Sequence, residues 1–353
     1  MTAPSLVETI LGNTPAVSPL ISICIPNFNG AEYIGQCIRS VLAQERDCEI
    51  EIVVHDDAST DNSLDIIREQ FPEVHVLASK TNVGFCISNN RMVAHSHGTF
   101  ILLLNNDAVL RAGSIKAFVN HMARQSKQGI LGLPQYTLID GTLVDRGYHF
   151  DPFMNPIPVF AEGSAEVGAV TGACLWIPRD LWEAIGGFPP WFESVAEDIF
   201  LCCAARLFGH TVTILESPGF DHWIGRNLGG GKIVQQKLSS SVRRRSLTER
   251  NKTWVMIMCY PLWLLMITLP FHFLFLGIEA LAIVLWKNDW QAVKAIYVKL
   301  PGRLLEFSTE VWKLRSKLQS QRSISFETYF ATTRIIPWKL IMFMRFGFPK
   351  ISK

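Results

Sequence analysis

The chain predicts an α/β domain followed by a basic, apolar helical tail, on three observations. From Leu20 onward, short β-rich runs alternate with stretches of helical spacing, the pattern of βαβ units. Polar clusters close most of those runs. The charge is also divided: residues 1–240 hold 15 Lys and Arg against 25 Asp and Glu, whereas residues 241–353 hold 18 against 6. An acidic head is thus joined to a basic tail.

Ile21–Ile25 reads as a buried strand ended by Pro26, and Ala31–Ala43 has helical spacing. Ile50–Val54 is a second strand and Asp61–Gln70 a second helix. The unit repeats with Val74–Leu77 as strand, Gly84–His97 as helix, and Phe100–Leu104 as a fully apolar strand running into Asn105, Asn106 and Asp107. Residues 129–170 are rich in Gly and Pro and read as a loop-rich insertion or hairpin region over the sheet. Ala173–Ile177 is a further strand, a helix begins at Arg179, and another holds Glu197 and Asp198 near its start. Thr211–Leu215 is a last strand leading into Asp221 and His222.

With 353 residues, 48% apolar and only 18% charged, the chain is neither disordered nor fibrous. The eight cysteines lack any C-x-x-C pair and read as buried, reduced thiols. Residues 1–17 read as an N-terminal extension without a basic, apolar secretory signal, which leaves the head in the cytosol. There is no G-x-G-x-x-G after the first strand and no Walker A sequence, so neither familiar phosphate cradle is present.

Ligands of open α/β sheets bind beyond the carboxyl ends of the strands, where Asn27, Asp56, Asp57 and Asp107 fall. A carboxylate such as Asp56 can accept the imide N–H of a uracil or thymine or the hydroxyls of a ribose. Ser59 and Asp61 serve equally as helix caps. Asp107, flanked by amides, offers hard oxygen to Mg²⁺ or Mn²⁺, and an ordinary Asn/Asp turn is the equal alternative. Glu197 and Asp198 suit a helix's first turn through the macrodipole, and either suits general-base work if an acceptor hydroxyl comes within about 3 Å. His222 stands near Arg226 and Lys232 in a glycine-rich segment that can cover a diphosphate.

The ordered set IPNFNG, HDDASTD, KTNVGF, LLLNNDAVL, TGACLWIPR, GGF, AED and DHW resembles glycosyltransferase family 2 over about residues 18–255. The resemblance implies the GT-A nucleotide-diphospho-sugar transferase fold, a Rossmann-like mixed sheet flanked by helices. It also implies inverting displacement on a nucleotide-diphosphate sugar, UDP- or dTDP-linked, with Mg²⁺ or Mn²⁺. Carried over, it puts Pro26, Asn27, Asp56, Asp57, Asn82 and Asn106 around the nucleotide, and Asp107 and His222 on the metal. Asp198 becomes the general base, Gly172, Ala173, Trp191 and Glu197 line the sugar and acceptor pocket, and Arg226 and Lys232 cover the diphosphate. Asn105 replaces the first acid of the D-x-D element, Pro189 and Pro190 replace a frequent Asp-Glu, and Phe200 replaces another acid, which bears on acceptor identity. Without Q-x-x-R-W, the resemblance is to non-processive, rhamnosyltransferase-like enzymes of bacterial glycan assembly, with a lipid-linked or polysaccharide acceptor. A catalytically silent scaffold of a glycan-assembly complex is the alternative, and a nucleotidyltransferase a weaker third.

In the tail, Trp254–Trp286 contains one charged residue, Glu279, and is interrupted by Pro261 and Pro270. Pro270 leaves 16 residues on either side, each about 24 Å as helix against roughly 30 Å of hydrocarbon, so neither half spans. Basic clusters flank the run on both sides, which favours a re-entrant or interfacial pair of helices on the cytoplasmic membrane surface over a single crossing. The apolar run also argues against nucleic acid as the tail's partner. Residues 241–300 are therefore set apart from an amphipathic, basic segment 301–353, whose Leu304, Phe307, Val311, Leu314 and Leu318 form one stripe for lipid, for the catalytic domain 18–240, or for a second subunit in a homo-oligomer.

Overall fold

The computed structural model describes residues 7–10, 18–125, 127–163, 165–223, 230–234, 237–347 and 350–352. The chain forms two compact units, one of Met1–Gly147, Pro158–Ala205 and His210–Trp223, the other of Tyr148–Ile157, Arg206–Gly209 and Ile224–Lys353.

The first half of the chain runs β1 (Val7–Ile10), β2 (Ile21–Asn27), α1 (Ile34–Leu42), β3 (Ile50–Asp56), α2 (Ser63–Gln70), β4 (His75–Ser79), α3 (Phe85–Ala94), β5 (Phe100–Leu104), β6 (Ala108–Leu110) and α4 (Ser114–Ala123). The region read as loop-rich carries short strands: β7 (Ile130–Gly132), β8 (Gln135–Thr137), β9 (Leu143–Asp145), β10 (Tyr148–Phe150), β11 (Pro156–Pro158) and β12 (Ala165–Glu166). Strands of two or three residues are too short to show a period, which is why the sequence pattern misses them. Then come β13 (Cys174–Pro178), α5 (Arg179–Ile185), α6 (Glu197–Leu207), β14 (Val212–Ile214) and β15 (Phe220–His222).

Nine strands form one mixed sheet in the order β1-β4-β3-β2-β5-β13-β7-β14-β12. Strands β4, β3, β2 and β5 are parallel, and β13 runs antiparallel to β5. Val7–Ile10, from the segment read as an extension, pairs with β4 at the sheet edge. The apolar runs that predicted strands are buried on both faces; every residue of β5 and of β13 is buried. Trp176 of β13 stacks between Phe100 and Phe118 at centroid distances of 5.2 and 5.1 Å, tying α4 to the sheet. Strand β2 does not stop at Pro26 but continues to Asn27, because Asn27 aligns with Asp56 across the parallel pair.

At the amino ends of the strands, Arg179 clamps the sheet. Its guanidinium donates to the carbonyls of Gly98 (2.6 Å) and Val93 (2.9 Å) and to Ser96 Oγ (2.9 Å). This arginine of the TGACLWIPR segment is structural. None of the eight cysteines forms a disulfide; seven are buried and Cys48 is half-buried.

The second unit is built on α7 (Val242–Cys259) and α8 (Leu262–Lys287), followed by α9 (Trp290–Val293), a π-helical segment Lys294–Val298, α10 (Leu300–Glu306), α11 (Ser308–Ser320), α12 (Phe326–Phe330) and α13 (Trp338–Phe346). Strands β16 (Gly230–Val234), β17 (Lys237–Ser241) and β18 (Lys350–Ser352) form a small sheet beside them. Two expectations are corrected here. Pro270 does not divide the apolar run: α8 continues through it for 26 residues and is long and apolar enough to cross a membrane, while Trp254–Cys259 belongs to α7. The break falls at Pro261, where a helix start tolerates the missing N–H. The stripe beginning at Leu304 is also not one lipid-facing helix. It breaks at Phe307, and α11 packs on α7, where Arg315 and Gln319 donate to the carbonyls of Tyr260 (2.7 Å), Met258 (3.0 Å) and Cys259 (3.1 Å) at the helix end.

A buried ion network joins α7, α8 and α13. Glu249 accepts from Lys252 and Lys339, both at 2.6 Å; Lys339 reaches Glu279 at 3.1 Å, and Arg245 pairs with Glu279. Lys252 also donates to Asn155 Oδ1 at 2.8 Å, which pins the Asp151–Asn155 turn.

Candidate active site

Parallel register places the ends of β2, β3 and β5 side by side, and their polar residues bind one another. Asn27 Nδ2 donates to Asp56 Oδ1 (2.8 Å) and Ser63 Oγ (2.9 Å), while Asn27 Oδ1 accepts from Asn106 Nδ2 (2.9 Å). Asp56 in turn holds the Ser59 hydroxyl (2.6 Å) and amide (3.1 Å). Gly30 lies over this bridge. A Cβ there would come within 2.2 Å of Asn27 Oδ1 and 2.3 Å of Asn106 Nδ2, so no side chain fits. Asp61 accepts from Ala31 N–H (2.9 Å) and from Ser63 N–H (3.1 Å) at the start of α2.

Asp57 behaves differently from its neighbour. Its two oxygens accept the Val83 and Gly84 N–H groups at 2.7 and 2.9 Å, shaping the loop that carries exposed Asn82. Burial pushes its carboxyl above the ordinary range, against the pull of those two donors. Pro26 is half-buried beside Asn27 on the same strand end.

Asp107 and His222 meet because β15 pairs with β6 and sets His222 opposite Ala108. His222 Nε2 lies 3.0 Å from Asp107 Oδ1, and its Nδ1 lies 3.1 Å from Gln135 Nε2. Arg111 holds the same strand through two bonds to Asp221, at 2.8 and 3.1 Å, with its guanidinium 3.5 Å from the Tyr136 ring centroid. Gln135 and Arg111 carry no motif signal in the sequence and emerge only from the pairing of β8, β15 and β6.

The donor set suits a hard divalent cation. A carboxylate oxygen and an imidazole nitrogen 3.0 Å apart match the edge of an octahedron with bonds of about 2.1 Å. Asn105 Oδ1, two residues before Asp107, is buried with no hydrogen-bond partner among the described residues. No group of three His, Cys, Asp or Glu side chains gathers among those residues, so waters and substrate oxygens would have to complete the shell.

Antiparallel pairing sets Cys174 opposite Leu104, which carries Gly172 and Ala173 to the β5 end. Ala173 O accepts from Asn105 N–H (3.0 Å), and Gly172 N–H donates to Asp198 Oδ2 (3.0 Å). Asp198 is half-buried and Glu197 buried at the start of α6, with Trp191 half-buried in the preceding turn. Of the seven non-glycine residues with left-handed backbone among those described, five lie in these loops: Asn29, Ala58, Glu193, Val195 and Ala196. The strain concentrates where side chains must be aimed, and β-branched Val195 at φ 71° is its clearest case.

Helix α3 holds the strained loop. Cys86 N–H donates to Glu193 O (3.1 Å), and Asn90 makes a reciprocal pair with Phe188 at 2.8 and 3.0 Å. Gly187, at φ 70°, lets Asn90 approach; a Cβ there would lie 2.7 Å from Asn90 Oδ1. Asn90 was not among the residues singled out by sequence, where it reads as an ordinary helix position. Arg226 lies outside the described residues, as does the side chain of Lys232.

Residues 22–185 match the profile of Glycosyl transferase family 2. The chain is 30% identical over 188 residues to the chondroitin synthase of Pasteurella multocida, covering 52% of this chain and 18% of that protein. It is 34% identical over 219 residues to an uncharacterized glycosyltransferase of Nostoc sp., covering 59% of this chain and 66% of the relative. The crystal structure of GalNAc-T7 with UDP, GalNAc and Mn²⁺ has a similar fold, with a TM-score of 0.63 at 13% identity, covering 94% of this chain and 58% of that one. Residues 22–185 thus form a glycosyl transferase family 2 domain, and the chain has the GT-A fold.

Proposed function

We propose that the chain moves one sugar, with inversion, from a UDP- or dTDP-linked donor to a lipid-linked or polysaccharide acceptor. One observation carries the reading: the β5–β13 pairing brings Asp198, through the Gly172 amide, to the strand end that also bears the Asp107–His222 pair. A base and a cation site at one strand end are what displacement at an anomeric carbon needs. The GalNAc-T7 structure, solved with UDP and Mn²⁺, supports a nucleotide donor and a divalent metal.

Asp107 and His222 would hold Mg²⁺ or Mn²⁺. When bound, the cation neutralises charge developing on the leaving diphosphate. The Gly172 N–H binds Oδ2 of Asp198 at 3.0 Å and the Ile199 N–H binds Oδ1 at 2.7 Å, which fixes the direction of the carboxylate, whose remaining lone pairs take the acceptor's hydroxyl proton. Asn27, Asp56 and Asn106 hold the three strand ends rigid around the base and ribose, and Asp57 shapes the Asn82 loop toward the same nucleotide. Gly172, Ala173, Trp191 and Glu197 bound the sugar.

Calorimetry with UDP and dTDP, with Mn²⁺ and with EDTA, followed by a donor panel read by product mass, tests this. Binding that needs the metal and a single-sugar product are expected. Failure of both nucleotides to bind would leave the scaffold reading in its place.

A further inference from the structure

The apolar face of α8 carries a second inference, independent of the transfer chemistry. Every position from Leu262 to Trp286 that is exposed is uncharged and apolar, among them Trp263, Met266, Phe271, Leu274, Ile278 and Trp286, all at least half exposed. The opposite stripe of Leu265, Thr268, His272, Leu276, Glu279 and Ile283 is turned inward at spacings of three and four. This contiguous surface is about 36 Å long at 1.5 Å per residue, far more than scattered surface hydrophobics.

What covers it follows from charge. Exposed Lys287 ends the helix, exposed Lys294 and Lys299 follow it and exposed Arg243 precedes it, and the tail from residue 241 holds 18 Lys and Arg against 6 Asp and Glu. A second copy would bring this basic surface against itself. An anionic bilayer offers hydrocarbon to the stripe and negative headgroups to its flanks.

Orientation follows from the inward side. Helices α7 and α8 run antiparallel, since Thr253 meets His272 (2.9 Å) and Arg245 meets Glu279. If α8 crossed the bilayer, Arg245, Glu249, Lys252 and Lys339 would be carried to hydrocarbon depth with it. With α8 lying flat, the ion network stays on the protein side and only the apolar stripe enters one leaflet. We propose that α8 docks in the plane of an anionic membrane leaflet and does not cross it.

The test uses the full chain and preformed vesicles of phosphatidylcholine with phosphatidylglycerol, against phosphatidylcholine alone. Wild type is expected to co-sediment with the anionic vesicles, and Leu274→Glu and Ile278→Glu, both at exposed positions, to lose at least tenfold in partitioning with unchanged circular dichroism and melting temperature. In vesicle-bound Lys287→Cys, an impermeant maleimide added outside should react fully. Equal partitioning of the Glu variants overturns the docking surface. Protection of the cysteine in the lumen overturns the flat orientation, and a dimer that Leu274→Glu dissociates, without vesicle binding by wild type, assigns the face to a second copy instead.

Discussion

Both units bury polar side chains, but in opposite ways. At the sheet ends, Asn27, Asp56, Asn106, Asp107 and His222 form directional hydrogen bonds, and Asn105 keeps a buried oxygen unmatched among the described residues. In the helical unit, Glu249, Glu279, Arg245, Lys252 and Lys339 neutralise one another, and each described charge has its counter-ion. The first arrangement retains lone pairs for a ligand; the second closes on itself and fixes helices. A buried polar cluster therefore signals chemistry only when its valences are incompletely used.

The sharpest way to break this contrast is at Asp198, the proposed base. Asp198→Asn keeps an acceptor for the Gly172 N–H, so the fold and UDP binding should persist while transfer falls roughly 10³-fold. Single-turnover assays beside calorimetry measure both, and retained transfer would remove Asp198 from the mechanism. In the closed network the loss should appear as stability instead. Glu249→Gln leaves Lys252 and Lys339 short of a counter-charge and should cost about 3–5 kcal/mol in urea unfolding. Replacing all three by Leu or Met should restore most of it. A triple variant as unstable as the single one would show that the ions hold more than one another.

Asn90→Ala loosens the strained loop ahead of Asp198 without touching either carboxylate. We expect kcat to drop about 10- to 100-fold with the UDP affinity unchanged, and a matching fall in affinity would place α3 on the nucleotide side alone. The smallest expected effect concerns His55, which bonds Ser79 at 3.1 Å and whose imidazole is lowered to about 4 by burial and the neighbouring Arg91. Its folded value lies below its unfolded one, so the unfolded chain takes up the proton first and stability falls as pH drops from about 6.5 toward 4. Between pH 7 and 5 the loss from this group should be about 2 kcal/mol, and His55→Gln should lack that portion. Equal urea midpoint shifts in the two proteins would place the acid sensitivity elsewhere.

Much of the head was legible because its strands are fully apolar and end in polar clusters. Burial on both faces leaves a continuous run of Ile, Val and Leu, and a parallel sheet gathers its strand ends at one edge. Asp56 and Asp107 stand out by residue type and position at strand ends, whereas Asp198 is preferred over Glu197, and His222 marked as a ligand, only through the family resemblance. Asn90, Gln135 and Arg111 could not, since each acts through a partner 98, 87 or 110 positions away. In the tail, local pattern misled: proline chemistry at Pro270 suggested a break, but one lost hydrogen bond does not end a helix of 26 residues.

Sequence alone determined the α/β class, the acidic head and basic tail, and which carboxylates stand at strand ends, because side-chain type and periodicity are local properties. Tertiary structure decided that Asp107 meets His222, that Asp56 and Asp57 hold different loops, and that α8 turns Glu279 inward and an apolar face outward. Those outcomes depend on strand register and helix pairing, which are set by packing between residues distant in the chain.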